Sequence, residues 1–115
     1  MSFISYINMQ RKVVHIYRDQ DGREPVIDWL ESIKDITTRA RIKNRLRRIE
    51  LGNLGDTKSI GQGIYEMRLH FGPGYRIYFG QVDNVVVVLL CGGDKGSQVK
   101  DIKRAQEHWT DYKNS

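Results

Sequence analysis

Residues 61–80, GQGIYEMRLHFGPGYRIYFG, decide how the chain folds. Two alternating runs flank a turn built from Gly72, Pro73 and Gly74. Strand side chains alternate between faces with period two, so Tyr65, Met67 and Leu69 share one face of the first run, and Glu66, Arg68 and His70 share the other. In the second run Tyr75, Ile77 and Phe79 share a face, opposite Arg76 and Tyr78. A hairpin with its oily side buried is expected to turn two arginines, a histidine and a tyrosine outward.

Working outward, the segment KVVHIYR (residues 12–18) reads as a first strand that ends at the turn Asp19-Gln20-Asp21-Gly22. Pro25 suits the first turn of a helix whose Val26, Trp29, Leu30 and Ile33 fall on one stripe. Asp35 to Thr38 offers N-cap candidates for a second helix with a narrow stripe of Ile42, Leu46 and Ile49, stopped at Gly52. Gly52 to Gly61 is glycine-rich and polar, and reads as a loop. Beyond the hairpin, Val85 to Leu90 is apolar on both alternating faces, as expected of a strand covered on two sides. Gly92 to Gly96 breaks that strand. Ser97 then caps a third helix with Val99, Ile102, Ala105 and Trp109 on one stripe.

The resulting order, β-α-α-β-β-β-α, predicts an α+β domain: two N-terminal helices on an antiparallel-rich four-stranded sheet, with a C-terminal helix. The two early helices are expected to cover one face, leaving the hairpin's polar residues on the opposite, concave face. Residues 12–115 read as a single domain and residues 1–11 as a loosely ordered N-terminal extension. That extension lacks the basic lead and long apolar core of a signal peptide, and Met1 and Met9 are both candidate starts.

Nineteen basic against fourteen acidic residues give a net charge of +5, which favours an anionic partner. No apolar run approaches the roughly 18 residues of a membrane span. The one cysteine, Cys91, ends the run VVVVLLC and reads as a small buried apolar residue, in keeping with a reducing cytoplasm.

Arg68 and Arg76 fall on the polar face of neighbouring strands, within reach of one anion, and guanidinium forks suit phosphate oxygens. The alternative is a solvent-facing cross-strand pair with Glu66 satisfying one arginine. His70, on the same face, is a candidate for proton transfer, the usual work of an imidazole; Glu66 is another candidate base, or the group that holds an arginine. Within the second helix, Arg39, Arg41, Lys43, Arg45, Arg47 and Arg48 form either a solvated face or a phosphate-tracking surface, with Arg41, Arg45 and Arg48 as candidate RNA contacts. Tyr78 joins them as an RNA-binding candidate on the hairpin. Gly92-Gly93-Asp94-Lys95 lacks the spacing of a nucleotide-triphosphate loop, but Lys95 follows the last strand, where its ammonium can reach the arginines. Neither HExxH nor paired cysteines occur, so the candidate chemistry runs without a metal.

The blocks GIYEMRL (63–69), GPGYRIYF (72–79) and LLCGGDKGSQVKDIKRA (89–105), preceded by RIKNRLRRIELGNLGD (41–56), resemble the RelE/ParE toxin superfamily, most closely its HigB-like branch, often labelled addiction module killer protein. The resemblance spans about Val13 to Trp109. It implies a RelE-like fold and a toxin of a type II toxin–antitoxin system. It also implies a separately encoded antitoxin from an adjacent gene, of helix-turn-helix type, and ribosome-dependent cleavage of mRNA. In that family a strand arginine or lysine, the arginine of GYR and a basic residue after the last strand bind substrate and stabilise the transition state. These positions fall on Arg68, Arg76 and Lys95. Where better-described ribonucleases carry a C-terminal tyrosine or histidine, this chain reads VKDIKRA, with His108 and Tyr112 further on. His70, Glu66 and Tyr78 are the local proton-transfer candidates. RNA supplies its own 2′-hydroxyl nucleophile, so no cofactor is required. The alternatives implied by the shared fold are a ParE-like poison of DNA gyrase, which cleaves nothing itself, and an inactive toxin-like binding module.

Overall fold

The run that is apolar on both faces becomes an interior strand, and the sheet is assembled around it. In the computed structural model, which describes residues 11–115, the chain forms β1 (Val13–Ile16), α1 (Pro25–Ser32), α2 (Ile36–Glu50), β2 (Thr57–Gly61), β3 (Ile64–Leu69), β4 (Tyr75–Val82) and β5 (Val86–Gly93). A 3₁₀ turn (Lys95–Ser97) leads into α3 (Gln98–Lys113). The N-terminal extension expected over residues 1–11 lies, but for Arg11, outside the described residues.

The strands lie in the order β1-β5-β4-β3-β2. The expected α+β class and antiparallel-rich sheet are found, with one difference. The sheet has five strands, because Thr57–Gly61, read as part of a loop, pairs antiparallel with β3. The one parallel pairing among the described residues is that of β1 with β5, with Val13 opposite Val86 and Ile16 opposite Leu89. Edge strands are short and gain their backbone order from one neighbour, so the composition of the segment TKSIG gives little warning.

On one face, Val26 and Leu30 of α1 and Ile42 and Ile49 of α2 bury themselves against Met67, Leu69, Ile77, Phe79, Val87 and Leu89. Each such side chain contributes about 1.5–3 kcal/mol when fully removed from water. Pro25 occupies the start of α1, and the Asp35 carboxylate caps α2 by accepting from Thr37 N at 3.2 Å and Thr38 Oγ1 at 2.7 Å.

The opposite face is not an open concavity. It is covered by α3, whose Ala105 and Trp109 pack on Ile64, Tyr78, Val88, Leu90 and Cys91. A bulge lets Tyr78 pair with Cys91 and Phe79 with Leu89, so Leu90 is the extra residue and both Leu90 and Cys91 join the α3 side. Gly80 makes room for the indole: a Cβ there would lie 2.3 Å from the Trp109 ring. The predicted α3 stripe is shifted. Val99 is 87% exposed, and Gln98, one helical turn before Ile102, takes the inward position. No helix among the described residues is long and apolar enough to cross a membrane.

Candidate functional site

Arg68 and Arg76 are cross-strand partners on β3 and β4, close to the turn at Gly72–Gly74. Between them, under α3, lies Glu66, whose side chain is fully buried. Its Oε1 accepts from Arg68 Nε at 3.1 Å, and its Oε2 accepts from Tyr78 Oη at 3.1 Å and Gln98 Nε2 at 2.8 Å. Arg76 Nε stands 3.6 Å from the same Oε2, and Arg76 Nη1 donates to Gly74 O at 3.0 Å. Burial alone pushes the Glu66 carboxyl up, but the hydrogen bonds from Gln98, Arg68 and Tyr78, with the Arg76 charge, outweigh it and hold the group below its ordinary value. Glu66 is therefore held ionised, the acceptor of three hydrogen bonds.

Tyr78 does not face outward. It is fully buried, and its phenol is pushed up by burial and then by the adjacent Glu66 charge. Alternation along β4 placed it correctly with Arg76, but α3 covers that face of the sheet. Arg68, with 36% of its side chain exposed, reaches solvent more freely than Arg76, with 12%.

Arg41, Arg45 and Arg48 recur at i, i+4 and i+7 and so share one side of α2. They line a cleft of about 380 Å³ whose other wall includes Arg68 and His70. Arg45 Nη2 donates to Leu54 O at 3.3 Å, and burial, then the Arg48 charge, lowers its pKa, though an arginine stays charged at neutral pH. Gly55 adopts φ +65°, the left-handed region that favours glycine, and the Arg45 guanidinium lies over its bare Cα. Arg41 lies over the Phe71 ring, 3.9 Å from its centroid. Arg39, Lys43 and Arg47 line none of this cleft. The basic helix is thus divided into a cleft side and a solvated side.

A second cleft, of about 330 Å³, shares Arg68 and His70 with the first and continues to Arg76 and Tyr75. His70 stands just past the end of β3, exposed, with Nε2 2.5 Å from Asp56 Oδ2. Lys95 is exposed on the 3₁₀ turn, which Asp94 caps by accepting from Gly96 N at 2.8 Å and Ser97 N at 3.1 Å. A Cβ built on Gly74 would lie 3.5 Å from both Arg76 Nη1 and Lys95 Cβ, so Lys95 borders the same turn as Arg76. The structure thus gathers Arg41, Arg45, Arg48, Arg68, His70, Arg76 and Lys95 at one end of the sheet, and buries Glu66 and Tyr78 behind them. Gln98 and Phe71 escaped the sequence reading. Gln98 carried one usable signal, its position four residues before Ile102 on the inward stripe.

The architecture is a RelE-like fold. The chain superposes on a mutant of the E. coli toxin RelE in the free state with a TM-score of 0.57 at 21% identity, covering 83% of this chain and 98% of that one. No family model matches the sequence. It is 47% identical over 78 residues to an uncharacterized protein of Haemophilus influenzae strain Rd, an alignment that covers 68% of this chain and 79% of the relative. The chain belongs to the family of that Haemophilus influenzae protein.

Proposed function

We propose that this chain is the toxin of a type II toxin–antitoxin pair, of the HigB-like branch, and that it acts in the cytoplasm as a ribosome-dependent, metal-independent endoribonuclease on mRNA. The observation that carries the reading is the arginine pair Arg68 and Arg76, fixed around one buried carboxylate at the head of a cleft lined by three further arginines. The RelE-like fold supports it as the architecture of a toxin. An antitoxin encoded by an adjacent gene, of helix-turn-helix type, neutralises the protein by direct binding.

In this mechanism the RNA 2′-oxygen attacks the adjacent phosphorus, its proton leaves, and the bond from phosphorus to the 5′-oxygen breaks as that oxygen gains a proton. The products are a 2′,3′-cyclic phosphate and a 5′-hydroxyl. Arg68, the more exposed of the pair, contacts the phosphate, while Arg76 and Lys95 stabilise the charge that grows on its oxygens. Arg41, Arg45 and Arg48 hold the neighbouring backbone. His70 is the proton-transfer group, with Asp56 orienting its ring. Glu66, buried and engaged by Arg68, Tyr78 and Gln98, keeps the arginines in place.

Tightly controlled expression without antitoxin, with mapping of new 5′ ends on translated mRNA, tests the reading. Growth arrest with new ends is expected, and Arg68→Ala should reduce cleavage by about 10²-fold. Arrest without new ends, accompanied by gyrase-dependent DNA breaks, would move the protein to the ParE-like class. Unaltered growth from folded protein would make it a binding module.

A further inference from the structure

A third cleft, of about 590 Å³, opens between the end of α1, the end of β5 and the first turn of α3. It meets the second at Tyr75, which lines both. Resting on the RNA reading above, we infer that a single RNA strand continues past Arg76 into this cleft, where one base packs against the wall formed by Trp29 and Tyr75, and Lys34 and Lys100 take its phosphate.

Three features point to a nucleotide. The volume falls within the roughly 300–1,000 Å³ of small-molecule sites. Trp29 and Tyr75 meet edge to face, with centroids 5.9 Å apart, and give an aromatic wall of the kind that accepts any base. Two ammonium groups in the cleft are also left without an ion-pair partner among the described residues. Asp35, Asp94 and Asp101 line it too, with Arg104, and a cap does not remove a carboxylate's charge, but their oxygens are directed elsewhere: Asp35 caps α2, Asp94 caps the 3₁₀ turn, and the buried Asp101 accepts from Ser97 Oγ and Arg104. Lys34 and Lys100 are exposed and form no ion pair among the described residues. Gly92 and Gly93 add a stretch of cleft wall without side chains. The three clefts follow one end of the sheet in sequence, from α2 past the arginine pair to α1 and α3, a path suited to a flexible strand.

The test uses 2′-O-methyl RNA oligonucleotides, which lack the attacking hydroxyl, lengthened one nucleotide at a time. Affinity against salt concentration is measured for the parent, for Lys34→Ala/Lys100→Ala, and for Lys58→Ala/Lys103→Ala, which removes the same charge from outside the clefts. The parent is expected to gain affinity once the strand reaches the third cleft. The cleft variant should lose that gain, with a salt slope smaller by about 0.7 for each phosphate contact removed, while the control variant keeps it. Equal affinity of cleft variant and parent at every length, alongside lost binding in Arg68→Ala, would overturn this inference and leave the RNA reading standing. Failure of the parent to bind any oligonucleotide would overturn this inference, while the RNA reading itself stands or falls with the mapping of new 5′ ends on translated mRNA.

Discussion

Arg68 and Arg76 stand directly opposite each other on adjacent strands, and one buried carboxylate restrains both. Like charges in that relation repel across a sheet. Glu66 offsets the repulsion from within, at 3.1 Å from one guanidinium and 3.6 Å from the other, where the local dielectric is low and the attraction correspondingly strong. Tyr78 and Gln98 donate to its other oxygen, so three hydrogen bonds stabilise the charge in the core.

Glu66→Gln should therefore cost about 2 kcal/mol at neutral pH, because it leaves two guanidinium groups beside a neutral amide. The pH dependence has a definite sign. The folded-state pKa of Glu66 is lowered, so its charge stabilises the fold above the ordinary value of 4.5 and ceases to do so as pH falls through the folded value. Thermal melts of parent and variant between neutral and acid pH should show the gap narrowing on the acid side. A gap that stays constant with pH would mean that the ionised form is not favoured by folding.

Arg76→Lys keeps the positive charge but not the fork. Arg76 turns Nε towards Glu66 while Nη1 donates to Gly74 O, two directions that a single ammonium cannot reproduce. With the proposed activity, mRNA cleavage in cells should fall about 10²-fold, with a smaller change in melting temperature. Parental cleavage by the lysine variant would mean that charge alone is needed at this position.

Gly80→Ala tests the contact between the sheet and α3. The added methyl would meet the Trp109 ring at 2.3 Å, and the indole is anchored by its Nε1 donating to Gln62 O at 2.9 Å. Overpacking of this kind costs about 1–3 kcal/mol, readable as a lower denaturation midpoint. In a Trp109→Phe background the two penalties should be less than additive, because the smaller ring relieves the clash.

Much of this arrangement could be read from local pattern. The hairpin at Ile64–Val82, the helix starts at Pro25 and Asp35, and the doubly apolar β5 each announce themselves within a few residues. What escaped depends on distant partners. β2 is a strand because β3 pairs with it, and β1 runs parallel to β5 because the α1–α2 hairpin intervenes before the rest of the sheet is built. The site divides in the same way. Strand alternation grouped Glu66, Arg68, Arg76 and Tyr78 on one face, but only the seating of α3 determines which of them reach solvent. Val99, assigned inward by the helix stripe, points to water because Gln98 takes the inward position to meet Glu66.

The parallel pairing of β1 with β5 also bears on how the molecule is made. Val13 meets Val86, so the sheet cannot close until β5 has been synthesised, and the loop closed by that contact is long. Gln98, which completes the environment of Glu66, lies later still. During translation Glu66, Arg68 and Arg76 emerge before Gln98 and the rest of α3, which cover them, and an unfinished chain has the charges of the site without its geometry.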